Sequence, residues 1–132
     1  MIQNSKKILI TGGSGFIGSA LIRHLLKNTN YTILNYDKLT YSSNNISLLE
    51  FEVNNNYHFI CGDILNSSLL SQTLNDFKPN IIMNLAAETH VDRSIENPSI
   101  FVKTNILGTS ILLEKSLEFW NKLLPKDKNK FR

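Results

Sequence analysis

An α/β fold on a parallel, doubly wound sheet is predicted by three features of the chain: short apolar runs that alternate with amphipathic segments, a cluster of glycines at the first strand-to-helix junction, and an aspartate at the end of the second strand. With 132 residues, 42% of them hydrophobic, the chain has the size of one domain. A domain of this length buries roughly two-thirds of the surface its unfolded chain exposes.

Ile8 to Thr11 reads as a buried strand, and Phe16, Ile17, Leu21, Ile22, Leu25 and Leu26 then recur at helical spacing up to Asn28. Tyr31 to Tyr36 forms a second strand ending in Asp37, followed by a Ser/Asn-rich loop with a helical turn over Ile46 to Phe51. His58 to Cys61 is a short third strand closed by Gly62-Asp63. Ser67 or Ser68 caps a helix that turns Leu69, Leu70, Leu74 and Phe77 toward a core and ends at Pro79. Ile81 to Leu85 is the fourth strand.

From Pro98, a good first-turn residue, a single long helix carries Ile100, Phe101, Ile106, Leu107, Ile111, Leu112, Leu113, Leu117 and Trp120 along an apolar face. Gly108 costs that helix about 1 kcal/mol relative to alanine, so it marks a close approach to the sheet. Alternating strands and helices of this kind specify a parallel sheet with right-handed crossovers.

The net charge of +3 and the pI near 9.0 trace to Lys122, Lys126, Lys128, Lys130 and Arg132 in residues 122–132. No aromatic residues interleave with a basic face elsewhere, so these residues read as a solvated, partly frayed basic tail behind a domain spanning 1–121, and nucleic acid is not an expected partner. Cys61 is the single cysteine, which excludes an internal disulfide and suits a reducing compartment. His24, His58 and His90 are scattered without partner cysteines, so no metal site is expected. Lys6 and Lys7 before Ile8 to Ile10 imitate a signal peptide, but Thr11 to Gly15 interrupts the apolar run. No run approaches the ~20 residues of a membrane span. A cytoplasmic protein without membrane partners is expected.

Within "KKILITGGSGFIGSAL", Lys6 to Leu21, the glycines satisfy two registers: Gly13-x-Gly15-x-x-Gly18 and Gly12-x-x-Gly15-x-x-Gly18. Strand before and helix after is the context of a Rossmann-type dinucleotide loop, where glycine permits a tight turn, backbone approach to a pyrophosphate, and close helix packing at Gly18. The helix start supplies orphan amides and a positive dipole end for the phosphates. Ser19-Ala20 after Gly18 excludes the Gly-Lys-Ser/Thr ending of an NTPase loop.

Asp37 lies about 20 residues beyond Gly18, where a carboxylate accepts the hydroxyls of an adenosine ribose and repels a 2′-phosphate. NAD is therefore favoured over NADP, with Lys38 next door opposing that preference. Asp63, after the third strand, either meets an adenine amino group or is an ordinary turn aspartate.

"NLAAETHVDRSIENPSIFVKTNILGTSILLE", Asn84 to Glu114, and "YDKLTYSSN", Tyr36 to Asn44, resemble the extended short-chain dehydrogenase/reductase family, and within it the nucleotide-sugar 4,6-dehydratases. UDP-sugar 4-epimerases share the glycine loop and match these segments less closely. The resemblance implies that Phe16 and Ile17 lie against the pyrophosphate, that Asp37, Lys38, Leu39 and Thr40 surround the ribose, and that Asp63 and Ile64 flank adenine. It further implies that Leu85, Ala86, Ala87 and Glu88 form the floor beneath the nicotinamide half, with Thr104 nearby, and that Thr89, where these dehydratases usually carry serine, presents a hydroxyl to the sugar. Arg93 is either a surface residue of a helix start or a partner of a substrate phosphate, and His90 carries no assigned role.

The implied reaction moves hydride from sugar C4 to NAD, eliminates water across C5 and C6, and returns the hydride to C6. In the family it needs Tyr-x-x-x-Lys and Thr-Asp-Glu. The residues four positions beyond Tyr31, Tyr36, Tyr41 and Tyr57 are Asn35, Thr40, Asn45 and Cys61, and no Thr-Asp-Glu occurs. The chain therefore reads as an NAD-binding N-terminal part, with no catalytic residue named and no turnover expected alone. "LPKDKNKFR" resembles the approach to the family's next strand, and the sheet order the resemblance implies is 3-2-1-4, with the fourth strand as an unpaired edge open to self-association. A stand-alone NAD-binding module and an epimerase piece are the alternatives.

Overall fold

The computed structural model describes residues 5–132. Its four strands form one parallel sheet in the order β3-β2-β1-β4, with β1 at Lys7–Thr11, β2 at Thr32–Asp37, β3 at Tyr57–Cys61 and β4 at Ile81–Asn84. β1 pairs Leu9 with Leu34 on one side and with Ile82 on the other. The expected topology is thus the observed one.

Side-chain alternation along β1 sends Ile8 and Ile10 to one face and Leu9 to the other. Ile8 and Ile10 pack with Ile22 of α1 (Phe16–Asn28) and with Leu48 and Phe51 of a 3-10 helix at Asn45–Phe51. Leu9 packs with Leu74 of α2 (Ser67–Phe77) and Phe119 of α5 (Thr109–Lys122). Helices therefore cover both faces, as double winding requires. Asn66, rather than Ser67 or Ser68, caps α2, its side chain accepting from the Leu69 amide at 3.0 Å.

The long helix expected from Pro98 is not uniform. A short α3 at Val91–Glu96 precedes α4 at Pro98–Phe101, which runs into a π-helical stretch at Val102–Gly108 and then into α5. An i→i+5 stretch carries extra residues per turn and rotates the succeeding helix out of phase with a 3.6-residue period. The buried face accordingly holds Thr104, Gly108, Leu112 and Phe119, whereas Ile106, Leu107, Leu113 and Leu117, expected toward the core, are exposed. Gly108 does mark a close approach, but to Ile64 in the loop after β3: a Cβ there would stand 2.6 Å from its Cδ1.

The C-terminal residues correct the expectation of a frayed tail. After a helical turn, α6 at Pro125–Lys128, Phe131 packs 5.7 Å from Phe119 between ring centroids. The Arg132 amide donates to the Asn80 carbonyl at 3.0 Å, and the Ile82 amide donates to the Arg132 carbonyl at 2.9 Å. This is a parallel-strand pairing opposite Ile81, so the outer edge of β4 is not wholly bare.

No helix among the described residues is long and apolar enough to cross a membrane.

Candidate functional site

All four strands end on the same side of the sheet, and there the loops after β1, β2, β3 and β4 enclose a pocket lined by Gly12, Gly15, Asp37, Asp63, Ala86 and their neighbours. Clefts at the C-terminal ends of parallel strands, where crossovers diverge to opposite faces, are the usual ligand sites of open α/β sheets.

The first wall is the glycine turn. Gly12 has φ of 67°, and a Cβ there would lie 2.6 Å from the Ala86 nitrogen; both the left-handed backbone and the abutting loop demand glycine. At Gly18 a Cβ would meet the Gly12 carbonyl oxygen at 2.3 Å, so α1 starts hard against the turn. Gly13 faces inward against Asn35 and Ile22, away from the pocket. Of the two registers, Gly12-x-x-Gly15-x-x-Gly18 contains both glycines that line the pocket, Gly12 and Gly15. At Gly15 the same Cβ meets only the Gly12 oxygen, at 3.3 Å.

Gly15 is also the N-cap of α1, and no side chain caps that end. The first-turn amides and the dipole are thus free for an anion. Phe16 is 92% exposed and Ile17 is also exposed at this helix start. Neither lines the pocket as it stands, and Gly18 acts from below.

Asp37 forms the second wall and is buried. One carboxylate oxygen accepts from the Ser14 amide at 3.0 Å; the other accepts from the Leu39 amide at 2.7 Å and the Ser43 hydroxyl at 3.2 Å. Of roughly four lone-pair directions on a carboxylate, three are taken, and the open one is on Oδ2. Leu39 adopts a left-handed φ of 56° to reach Asp37, strain of the kind that collects at binding sites. Lys38 and Thr40 line the same wall.

Asp63 and Ile64 belong to the third wall. Asp63 serves the turn by accepting from the Leu65 amide at 2.9 Å, and it also faces the pocket, 3.4 Å from Lys38 Nζ. Asp63 is thus a turn aspartate that also lines the pocket. Beneath them stands Tyr36, fully buried, whose hydroxyl donates to the Asp63 carbonyl at 3.0 Å. Burial, reinforced by the charges of Asp63 and Cys61, pushes its pKa from 10.0 up to about 12. The phenol stays neutral as a pillar under Gly62, where a Cβ would strike the ring at 2.4 Å.

Leu85, Ala86, Ala87, Glu88 and Thr104 complete the pocket. Two residues that fasten this floor were not anticipated. Thr11 Oγ1 accepts from the amides of Leu85 at 3.2 Å and Ala86 at 3.3 Å. Asn105 holds the Glu88 backbone from both sides, its Oδ1 accepting from the amide and its Nδ2 donating to the carbonyl, each at 2.9 Å. A polar residue closing a buried strand and an asparagine inside an apolar helix were the available signals. Thr89, His90 and Arg93 lie outside the pocket. Among the described residues, no group of three or more His, Cys, Asp or Glu could hold a metal ion.

Comparison with known proteins places this geometry. The chain is 49% identical over 126 residues to the dTDP-glucose 4,6-dehydratase of Salmonella typhimurium, covering 96% of this chain and 35% of that protein. Among solved structures, a dTDP-glucose 4,6-dehydratase of Streptomyces venezuelae with NAD bound superposes with a TM-score of 0.80 at 36% identity, over 86% of this chain and 36% of that one. A UDP-glucose 4-epimerase of Thermotoga maritima superposes with a TM-score of 0.75 at 33% identity, over 86% of this chain and 34% of that one. The chain thus spans about a third of the length of these relatives. The family model for GDP-mannose 4,6 dehydratase matches residues 9–131, and the chain belongs to that family.

Proposed function

We propose that the pocket binds NAD and that the chain supplies the cofactor-binding part of a dTDP-glucose 4,6-dehydratase. One observation carries this reading: an uncapped helix start over Gly15 and a buried carboxylate at Asp37 face the same pocket. The diphosphate rests on the first-turn amides of α1 beside Phe16 and Ile17. The adenosine ribose lies against Asp37 to Thr40, adenine between Asp63 and Ile64, and the nicotinamide half over Leu85 to Glu88 with Thr104.

Asp37 accepts one ribose hydroxyl on Oδ2 as it stands, and a second once Ser43 releases the other oxygen. Its charge repels a 2′-phosphate. Lys38, drawn toward Asp63 at 3.4 Å, is held off from cancelling that repulsion. Bound NAD supplies the acceptor for a sugar C4 hydride and the donor that returns it to C6. Thr89, directly after the floor, offers its hydroxyl to the sugar. Residues 1–121 hold the nucleotide in this reading, the setting is cytoplasmic, and any self-association uses the part of the β4 edge beyond Arg132.

Calorimetric titration with NAD and NADP tests the proposal. One NAD site is expected, with NADP at least about tenfold weaker, and Asp37→Ala should weaken NAD by about 10- to 100-fold, the loss of a charge-assisted hydrogen bond, while narrowing the gap to NADP. No heat and no thermal shift at millimolar NAD would reject it.

A further inference from the structure

The loops after β2 and β4 meet through a contact the pocket itself does not use. β2 and β4 flank β1 in the sheet, so any contact between these loops spans the glycine turn lying between them. Tyr41 makes it. The Arg93 guanidinium stacks 3.4 Å from the centroid of the Tyr41 ring, and the His90 ring meets the same ring edge-on at 5.3 Å. The Tyr41 hydroxyl lies 3.2 Å from His90 Nδ1 and 3.4 Å from Glu88 Oε2. A phenol has one proton to give, so its hydroxyl serves Glu88 and His90 with one donated and one accepted hydrogen bond at most.

Both anchor points are part of the pocket. Thr40 and Ser42, on either side of Tyr41, line it, as does Glu88, whose backbone Asn105 holds from both sides. Tyr41, His90 and Arg93 are exposed and Glu88 is half-buried, so charge pairing within the cluster adds little to folding, and its consequence is local.

We propose that Tyr41 is a positioning residue that latches the 38–43 loop to the 88–93 segment across the mouth of the groove, and so sets how long a dinucleotide stays bound. The inference rests on the NAD reading of the pocket. A nucleotide lying under the latch leaves only when the stack of Arg93 on Tyr41 opens, and removing the stack speeds departure more than it changes arrival.

The test is stopped-flow displacement of NADH by excess NAD from the full chain, read by NADH fluorescence, for the unaltered protein, Tyr41→Phe, Tyr41→Ala and Arg93→Met. Dissociation should quicken about tenfold in Tyr41→Ala and Arg93→Met and about threefold in Tyr41→Phe, which keeps the stack and loses the hydroxyl, with Tm shifted by no more than about 2 °C. NADH bound by the unaltered chain with an unchanged dissociation rate in Tyr41→Ala, or a rate that rises only in step with a falling Tm, overturns the latch and leaves the NAD reading standing. Failure of the unaltered chain to bind NADH overturns both.

Discussion

At the turn from Gly12 to Gly18 the backbone of one loop touches the backbone of the next, and a single added Cβ would stand 2.3 Å from a carbonyl oxygen. Along the outer flank of the helical run from Val102 to Lys122, Ile106 is 65%, Leu113 66% and Leu117 58% exposed. The two regions share one sheet fold and are both rich in residues that sequence patterns single out. They differ in closure: the turn is filled by atoms within the described residues, whereas the flank is apolar without being covered by them. Periodicity identifies an apolar face, and only packing shows whether that face is inside.

Mutations should separate the two regions sharply. Gly18→Ala forces backbone against backbone and should cost at least about 3 kcal/mol, lowering the thermal midpoint far enough to unfold a marginal domain; retention of the unaltered Tm would mean the turn relaxes freely. Alkaline pH attacks the same region through Tyr36. Its folded pKa, pushed to about 12, exceeds the unfolded value of 10.0, so its contribution is complete below pH 10 and is lost as pH rises toward 12. A fall of about 2–3 kcal/mol over that window is expected in denaturant titrations, and Tyr36→Phe should flatten it. The smallest effect belongs to the flank: Leu113→Ser and Leu117→Ser should each change stability by no more than about 0.5 kcal/mol. A loss above about 1.5 kcal/mol would show that this face is packed in solution.

Much of the site was legible because its requirements are local. Gly12, Gly15, Gly18 and Asp37 answer to loop sterics and to one carboxylate at a strand end, and both leave marks in a single stretch of chain. The parallel sheet followed from the alternation of strands and helices, and its order from the family resemblance. What stayed illegible depends on long-range geometry. The π-helical stretch changes the phase of the apolar face, and a 3.6-residue template has no means of anticipating it. Thr11 and Asn105 fasten a loop far away in sequence, and Tyr36 serves as a pillar only because Gly62 comes to rest on its ring. The pairing of Arg132 with β4 likewise rests on tertiary contact, Phe131 docking on Phe119 beneath a run of lysines that looks merely solvated.

Whether Gly15 to Gly18 and Asp37 together receive a dinucleotide is tested most directly by backbone amide NMR of the 15N-labelled chain during NAD addition. Saturable shifts are expected at Gly15, Phe16, Ile17 and Gly18 and at Ser14 and Leu39, whose amides donate to Asp37, with the Leu113 to Leu117 flank unmoved. Shifts confined to the flank, or none at the glycine turn with millimolar NAD, would contradict a dinucleotide site there.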